Sequence, residues 1–143
     1  MIRYQLTMIN KKTKTGTLII VIMIIGKKQN TAYDKAYEFA KLIARCYQDI
    51  ADERKEFVLS KQLLRSGTSI GANLSEANGA ISKADFSSKV SIAYKECLET
   101  KYWLDLLKDT GYISEVKYND LFEAADELAR ILFSILKTTR INK

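Results

Sequence analysis

The sequence predicts an all-α protein, an antiparallel up-down-up-down four-helix bundle with an N-terminal extension outside it. Three observations carry that expectation. There is no proline in 143 residues, and proline would remove an amide donor and clash with the preceding helical turn. Four successive segments repeat apolar residues at three- and four-residue steps, the spacing of a single helix face. Short polar connections join them, which favours antiparallel neighbours. A chain of this length forms one domain with a substantial core, and a composition that is 47% hydrophobic is far from that of a disordered chain.

The first segment starts at Thr31, a good N-cap residue, and runs to about Asp52. Tyr33, Ala36, Tyr37, Ala40, Ile43, Ala44, Tyr47 and Ile50 make its apolar face, and the charged stretch DERKE (52–56) makes the turn. The second segment runs from about Glu56 to Asn78. Leu59, Leu63, Leu64, Gly67, Ile70, Gly71, Leu74, Ala77 and Ile81 fall on one side of a helix at about 100° per residue. Its glycines therefore belong to the inward seam. Each costs about 1 kcal/mol of helix propensity relative to alanine, so a close helix neighbour at Gly67-xxx-Gly71 is expected to offset the loss. Gly79 ends the helix, where a left-handed cap is common.

The third segment opens on Ser82 with Asp85 three residues later, a capping-box start. Phe86, Val90, Ala93, Cys97, Thr100, Leu104 and Leu107 alternate steps of four and three. Gly111 stops it. The fourth starts at Ser114, with Tyr118, Leu121, Ala125, Leu128, Leu132 and Ile135 as its seam and Phe122, Ala129, Ile131 and Leu136 widening it. Helices of about 25 residues are about 37 Å long, so all four pack along their full length.

Residues 1–29 are expected to lie outside the bundle and residues 30–143 to form it. The leader holds the apolar run Leu18–Ile25, far short of the roughly 20 residues that span a bilayer, and no A-x-A-like cleavage site follows it. The expected natural start is Met23, with residues 1–22 an over-called start or a disordered extension; a short strand or membrane-surface tail is the lesser alternative. The formal charge of +6 also resides there. Of 23 basic residues, six lie within residues 1–30, leaving 17 against all 17 acids in the body. Composition gives no basic domain.

Catalytic chemistry finds little support. Histidine is absent, which removes the usual general base near neutral pH, the commonest zinc ligand, and any Glu-x-x-His di-iron site. Cys46 and Cys97 read as small buried residues in a reducing, cytoplasmic setting. GTSIGAN lacks the lysine of a phosphate-binding loop and the strand that would precede it. Ser114-x-x-Lys117 matches a serine-acylase spacing without its partner motifs, and Ser114 is better explained as a cap. The expectation is a non-enzymatic protein with no cofactor, metal, small-molecule substrate or membrane association; a hydrolase built on Arg65 and Glu76 ranks last.

Three surface rows are candidates for contacts. Arg65, Ser69, Asn73 and Glu76 form a polar ladder on the back of the second helix, either a solvated face with local hydrogen bonds or a subunit or partner contact. On the third helix Ile92, Glu96, Glu99, Trp103 and Leu106 lie about 110° from the core seam. A monomeric bundle does not require such a row, and it points to a protein interface and hence to a homo-oligomer. Lys83, Tyr94, Lys101 and Lys108 form the one body row resembling a phosphate-contact line, against the simpler reading of solvated lysines.

The strings EFVLSKQLLRSGTSIGANLSEANG (56–79) and SKADFSSKVSIAYKECLETKYWLDLLKDTGYI (82–113) resemble the four-helix-bundle proteins of the 23S rRNA intervening-sequence family. The likeness covers about residues 30–140, and RSGTSIGANLSEA is its most specific part. The resemblance implies a bacterial antiparallel bundle that assembles into rings, typically pentamers, with no catalytic residues to carry over. A related branch serves as accessory proteins to retroelement reverse transcriptases and binds RNA and the polymerase. Those RNA-binding relatives are strongly basic, and the neutral body of this chain departs from them. An oligomeric scaffold, attached to an RNA or ribonucleoprotein or else to protein alone, is the resulting expectation.

Overall fold

The computed structural model describes residues 31–141; the expected extension and the Met23 start lie outside them. Four helices follow one another: α1 (Ala32–Asp49), α2 (Leu59–Asn78), α3 (Lys83–Asp109) and α4 (Glu115–Ile141). They are antiparallel in sequence order. Pairs 65/99 and 76/89 join α2 to α3, 101/126 and 94/133 join α3 to α4, and 35/127 and 49/117 join α4 back to α1. The α1–α4 seam is the sparsest of the four neighbouring pairs.

Local chemistry sets the ends. Thr31 and Asp34 form a full capping box on α1: Thr31 Oγ1 accepts from Asp34 N at 3.1 Å and Asp34 Oδ2 accepts from Thr31 N at 3.2 Å, which satisfies two amides that a helix start leaves orphaned. The DERKE turn forms later than expected. The chain continues past Asp49 as a π-helical turn, Ile50–Arg54, and breaks only at Lys55, which is left-handed at φ 52°. The extra turn buries Ile50 and Ala51. Glu56 then caps α2, its carboxylate accepting from Val58, Leu59 and Ser60 amides at 2.8–2.9 Å.

Ser82 caps α3 as expected, accepting from Asp85 N at 3.0 Å, but the Asp85 carboxylate accepts from Ile81 N at 3.2 Å, so the box is only half formed. Gly111, at φ 81°, supplies the left-handed residue that stops α3, whereas Gly79 ends α2 at φ −99°, not left-handed. Ser114 caps α4 by accepting from Lys117 N at 3.2 Å.

The core is one cluster running the length of the bundle. The α3 seam is buried as expected from Val90 to Leu107, with Phe86 half-buried. Leu121, Ala125, Leu128, Leu132 and Leu136 bury the α4 stripe. The α1 face is rotated from expectation: Phe39 and Cys46 are buried beside Ala36, Ile43 and Ile50, while Tyr37 is 55% exposed. On α2 the seam ends at Ala77, and Ile81 stands 94% exposed in the α2–α3 connection, beyond the point where helical period applies.

The close approach expected at the α2 glycines is present, and α1 makes it. A Cβ on Gly67 would lie 2.8 Å from both γ-carbons of Ile43, while one on Gly71 would meet Ala36 at an ordinary 3.6 Å. Gly67 is thus the position that needs the missing side chain. Across the core, the hydroxyl oxygens of fully buried Ser66 and Thr100 lie 3.0 Å apart, tying α2 to α3.

Candidate functional site on the outer α2–α3 seam

Arg65, on an outward position of α2, reaches across to α3. Its guanidinium pairs with the Glu99 carboxylate through Nη2 and lies 3.8 Å from Glu96 Oε1 through Nη1. Glu99 Oε1 also accepts from the Trp103 indole at 3.2 Å. The Tyr102 ring meets Trp103 edge-on at 4.9 Å between centroids. The polar ladder on α2 and the apolar–acidic stripe on α3, read as separate rows in the sequence, therefore form one composite face.

Within it Glu96 is the misfit. Its second oxygen, Oε2, is buried without a hydrogen-bond partner. Burial pushes its carboxyl above the ordinary glutamate range, the neighbouring Glu99 adds to this, and Arg65 opposes it.

The remaining ladder residues divide. Ser69 donates to Arg65 O at 2.6 Å and Asn73 Nδ2 to Ser69 O at 2.8 Å, so both spend their polar groups on their own backbone. Glu76 crosses to Lys89 at 2.6 Å, a second α2–α3 ion pair toward the far end of the seam. Ile92 is 39% exposed and Leu106 half-buried.

The lysine row is largely engaged within the chain. Lys101 pairs with Asp126 at 2.7 Å and sits over the Phe122 ring at 4.9 Å. That hydrogen bond, with the lysine's charge behind it, holds the Asp126 carboxyl below its usual range. Lys108 lies over Tyr118 at 4.1 Å and 3.7 Å from Asp109. The Tyr118 hydroxyl donates to Asp105 at 2.6 Å, which together with burial raises it to about 12. Tyr94 packs on Phe133 with centroids 5.9 Å apart. Lys83 alone in this row is exposed with no ion pair among the described residues. It is the one charged side chain among the described residues lining an open groove of about 850 Å³ beside the α2–α3 connection, with Ile81, Phe86, Ser87, Ser91 and Leu136.

Cys46 and Cys97 are buried and free, their thiols pushed up to about 11 and about 12 chiefly by burial. No group of three or more potential metal ligands occurs among the described residues, and no helix among them is long and apolar enough to cross a membrane.

Sequence reasoning missed the cross-helix partners: Lys89 for Glu76, and the pairs Lys35–Glu127 and Lys117–Asp49, each 2.5 Å, that span the thin α1–α4 seam. The hydrogen bond from Lys117 to Asp49 raises the ammonium above the usual lysine range against a smaller loss from burial. Their signal was the helical spacing that put each charge at the edge of an apolar face.

Fold and surface define a four-helix bundle whose neighbouring helices are bridged by ion pairs on α1–α4, α2–α3 and α3–α4. Its sequence places it further: residues 28–134 match the 23S rRNA-intervening sequence protein family, and the chain belongs to that family. A solved structure of a protein of unknown function from the S23 ribosomal protein family of Bacteroides thetaiotaomicron is 50% identical and superposes with a TM-score of 0.74, covering 75% of this chain and 99% of that one. Among curated proteins none matches.

Proposed function

We propose that the protein is a non-enzymatic scaffold that associates with further copies of itself through the outer α2–α3 face. The observation that carries this reading is the composite Arg65–Glu99–Trp103 cluster with Ile92 and Tyr102 exposed beside it. Aromatic residues and arginine set in a pre-formed network are the groups that dominate protein contacts, and ordering them in the free protomer lowers the cost of binding. Residue types and placement support a protein contact more than an active site, since Arg65, Glu99 and Trp103 answer one another within the chain.

The test is assembly mass by native mass spectrometry or sedimentation, with and without nuclease. Trp103→Ala and Ile92→Ala are expected to lower the subunit number with helicity unchanged. A wild-type chain that stays monomeric at high concentration refutes the reading, as does unchanged mass in both variants.

A second reading, attachment to RNA, is favoured by one observation: residues 1–30 carry six basic residues and no acid. The engagement of Lys101 and Lys108 within the bundle moves the support for this reading from the body to the leader. Steep loss of RNA affinity with salt would bear it out, and salt-independent binding would refute it.

A further inference from the structure

Two carboxylates one turn apart on α3 compete for a single guanidinium, and the competition is unequal. Glu99 holds Arg65 closely and also takes the Trp103 indole, while Glu96 remains 3.8 Å from Arg65 with Oε2 buried and unpartnered. A buried carboxylate oxygen without a donor is costly in its charged form. Protonation removes that charge, and a neutral carboxyl is a far cheaper occupant of such a site than a carboxylate.

We propose that Glu96 takes up a proton in mild acid as a switch on the α2–α3 seam, leaving Arg65 to Glu99 alone, with Trp103 reporting the change. From α2 the facing charge is Arg65; from α3 itself it is Glu99; α1 and α4 contribute no ion pair to Glu96 among the described residues. Burial and the Glu99 charge both favour the protonated form, and Arg65 opposes it. The switch follows from the seam within one protomer and holds whether or not that face meets a second copy.

Trp103 is the only tryptophan, so its emission reads this cluster without interference. Titrating fluorescence downward from neutral pH is expected to show a step with its midpoint above the ordinary glutamate value of 4.5. Glu96→Gln removes the step, and Glu99→Gln lowers its midpoint by taking away the repelling charge. Carbon-13 NMR of the glutamate carboxyls, assigned by the signal lost in Glu96→Gln, reads the same proton directly and does not depend on the indole. Running the titration at low and high protein concentration separates the switch from association, because a midpoint above 4.5 at the dilute end belongs to the single protomer and any further rise with concentration to burial by a second copy. The proposal is overturned if Glu96 titrates at or below 4.5, or if a fluorescence step above 4.5 survives in a folded Glu96→Gln chain.

Discussion

Replacing Gly67 or Gly71 with alanine gives different outcomes, and the difference between them measures how closely α1 presses on α2. Both substitutions gain the same intrinsic propensity, about 1 kcal/mol in a helix interior. At Gly71 the new Cβ meets Ala36 at 3.6–3.7 Å, ordinary contact, so Gly71→Ala should stabilise by nearly that full amount. At Gly67 it arrives 2.8 Å from Cγ1 and Cγ2 of Ile43 and 3.2 Å from its Cβ. Ile43 is fully buried and stiff at χ1 as a β-branched residue, so no rotation clears both γ-carbons. Overpacking of this kind costs about 1–3 kcal/mol. Because the propensity gain cancels between the two variants, their stabilities should differ by that same amount, or roughly 4–12 °C in melting temperature for a domain of this size. Thermal or urea unfolding at one fixed protomer concentration measures it. In an Ile43→Ala background, where both γ-carbons are gone and only the Cβ at 3.2 Å remains, Gly67→Ala should lose most of its penalty. Equal stability of the two alanine variants in the wild-type background would refute the close approach.

Acid should weaken the α2 start. For Glu56, burial raises the carboxyl but is outweighed by hydrogen bonds from Leu59, Ser60 and Val58, so it lies below its ordinary 4.5. Its contribution is present above 4.5 and is lost as pH falls through the lowered folded value; Glu56→Gln should flatten that part of the pH–stability curve and cost about 1 kcal/mol at neutral pH. Glu96 runs the other way: its folded value is raised, so its share of stability grows as pH falls and is lost as pH rises through that value. Glu96→Gln should therefore remove a gain in stability on mild acidification, measured by urea midpoints. Cys46 and Cys97, held up at about 11 and about 12, should react with a thiol reagent near pH 8 only at the rate of chain opening, and a fast native reaction of either would contradict their burial.

The α3 seam was legible from Val90 to Leu107 because the four-three spacing alone picks out its buried positions, even though apolar Ile92, Leu98 and Tyr102 stand exposed outside it. The α1 face was not: Tyr33, Tyr37 and Tyr47 compete with Phe39 and Cys46 for the inward arc, and spacing alone does not say which aromatic ring faces solvent. The buried Ser66–Thr100 contact was equally hidden, since small hydroxyl residues read as polar until a neighbouring helix closes over them. Of the candidate site, the sequence placed Arg65 and Glu76 on the outer side of α2 and Glu99 and Trp103 on one side of α3. It could not join them, because cross-helix pairing depends on register, which the period of a single helix does not contain. Register here is fixed by the tight fit of Ile43 at Gly67 and by buried side chains along the core.

Cross-seam pairing has a consequence for nucleic acid. Arg65, Lys35, Lys89, Lys101 and Lys117 each face a carboxylate of another helix, so the body is neutral in sum and also locally compensated at these positions. Exposed pairs of this kind contribute at most about 1 kcal/mol each, yet they occupy cations that a phosphate would otherwise claim. Affinity for RNA would then rest mainly on the six cations of residues 1–30, with Lys83 the lysine of the body row left unpaired among the described residues, and each phosphate neutralised on a single strand would add about −0.7 to the slope of log affinity against log salt. Replacing Lys11, Lys12, Lys14, Lys27 and Lys28 with glutamine in the full chain should remove most of that slope, while Lys101→Gln should leave it unchanged and only loosen the α3–α4 seam. A slope that survives the leader substitutions and falls with Lys101→Gln would return RNA contact to the lysine row of the bundle.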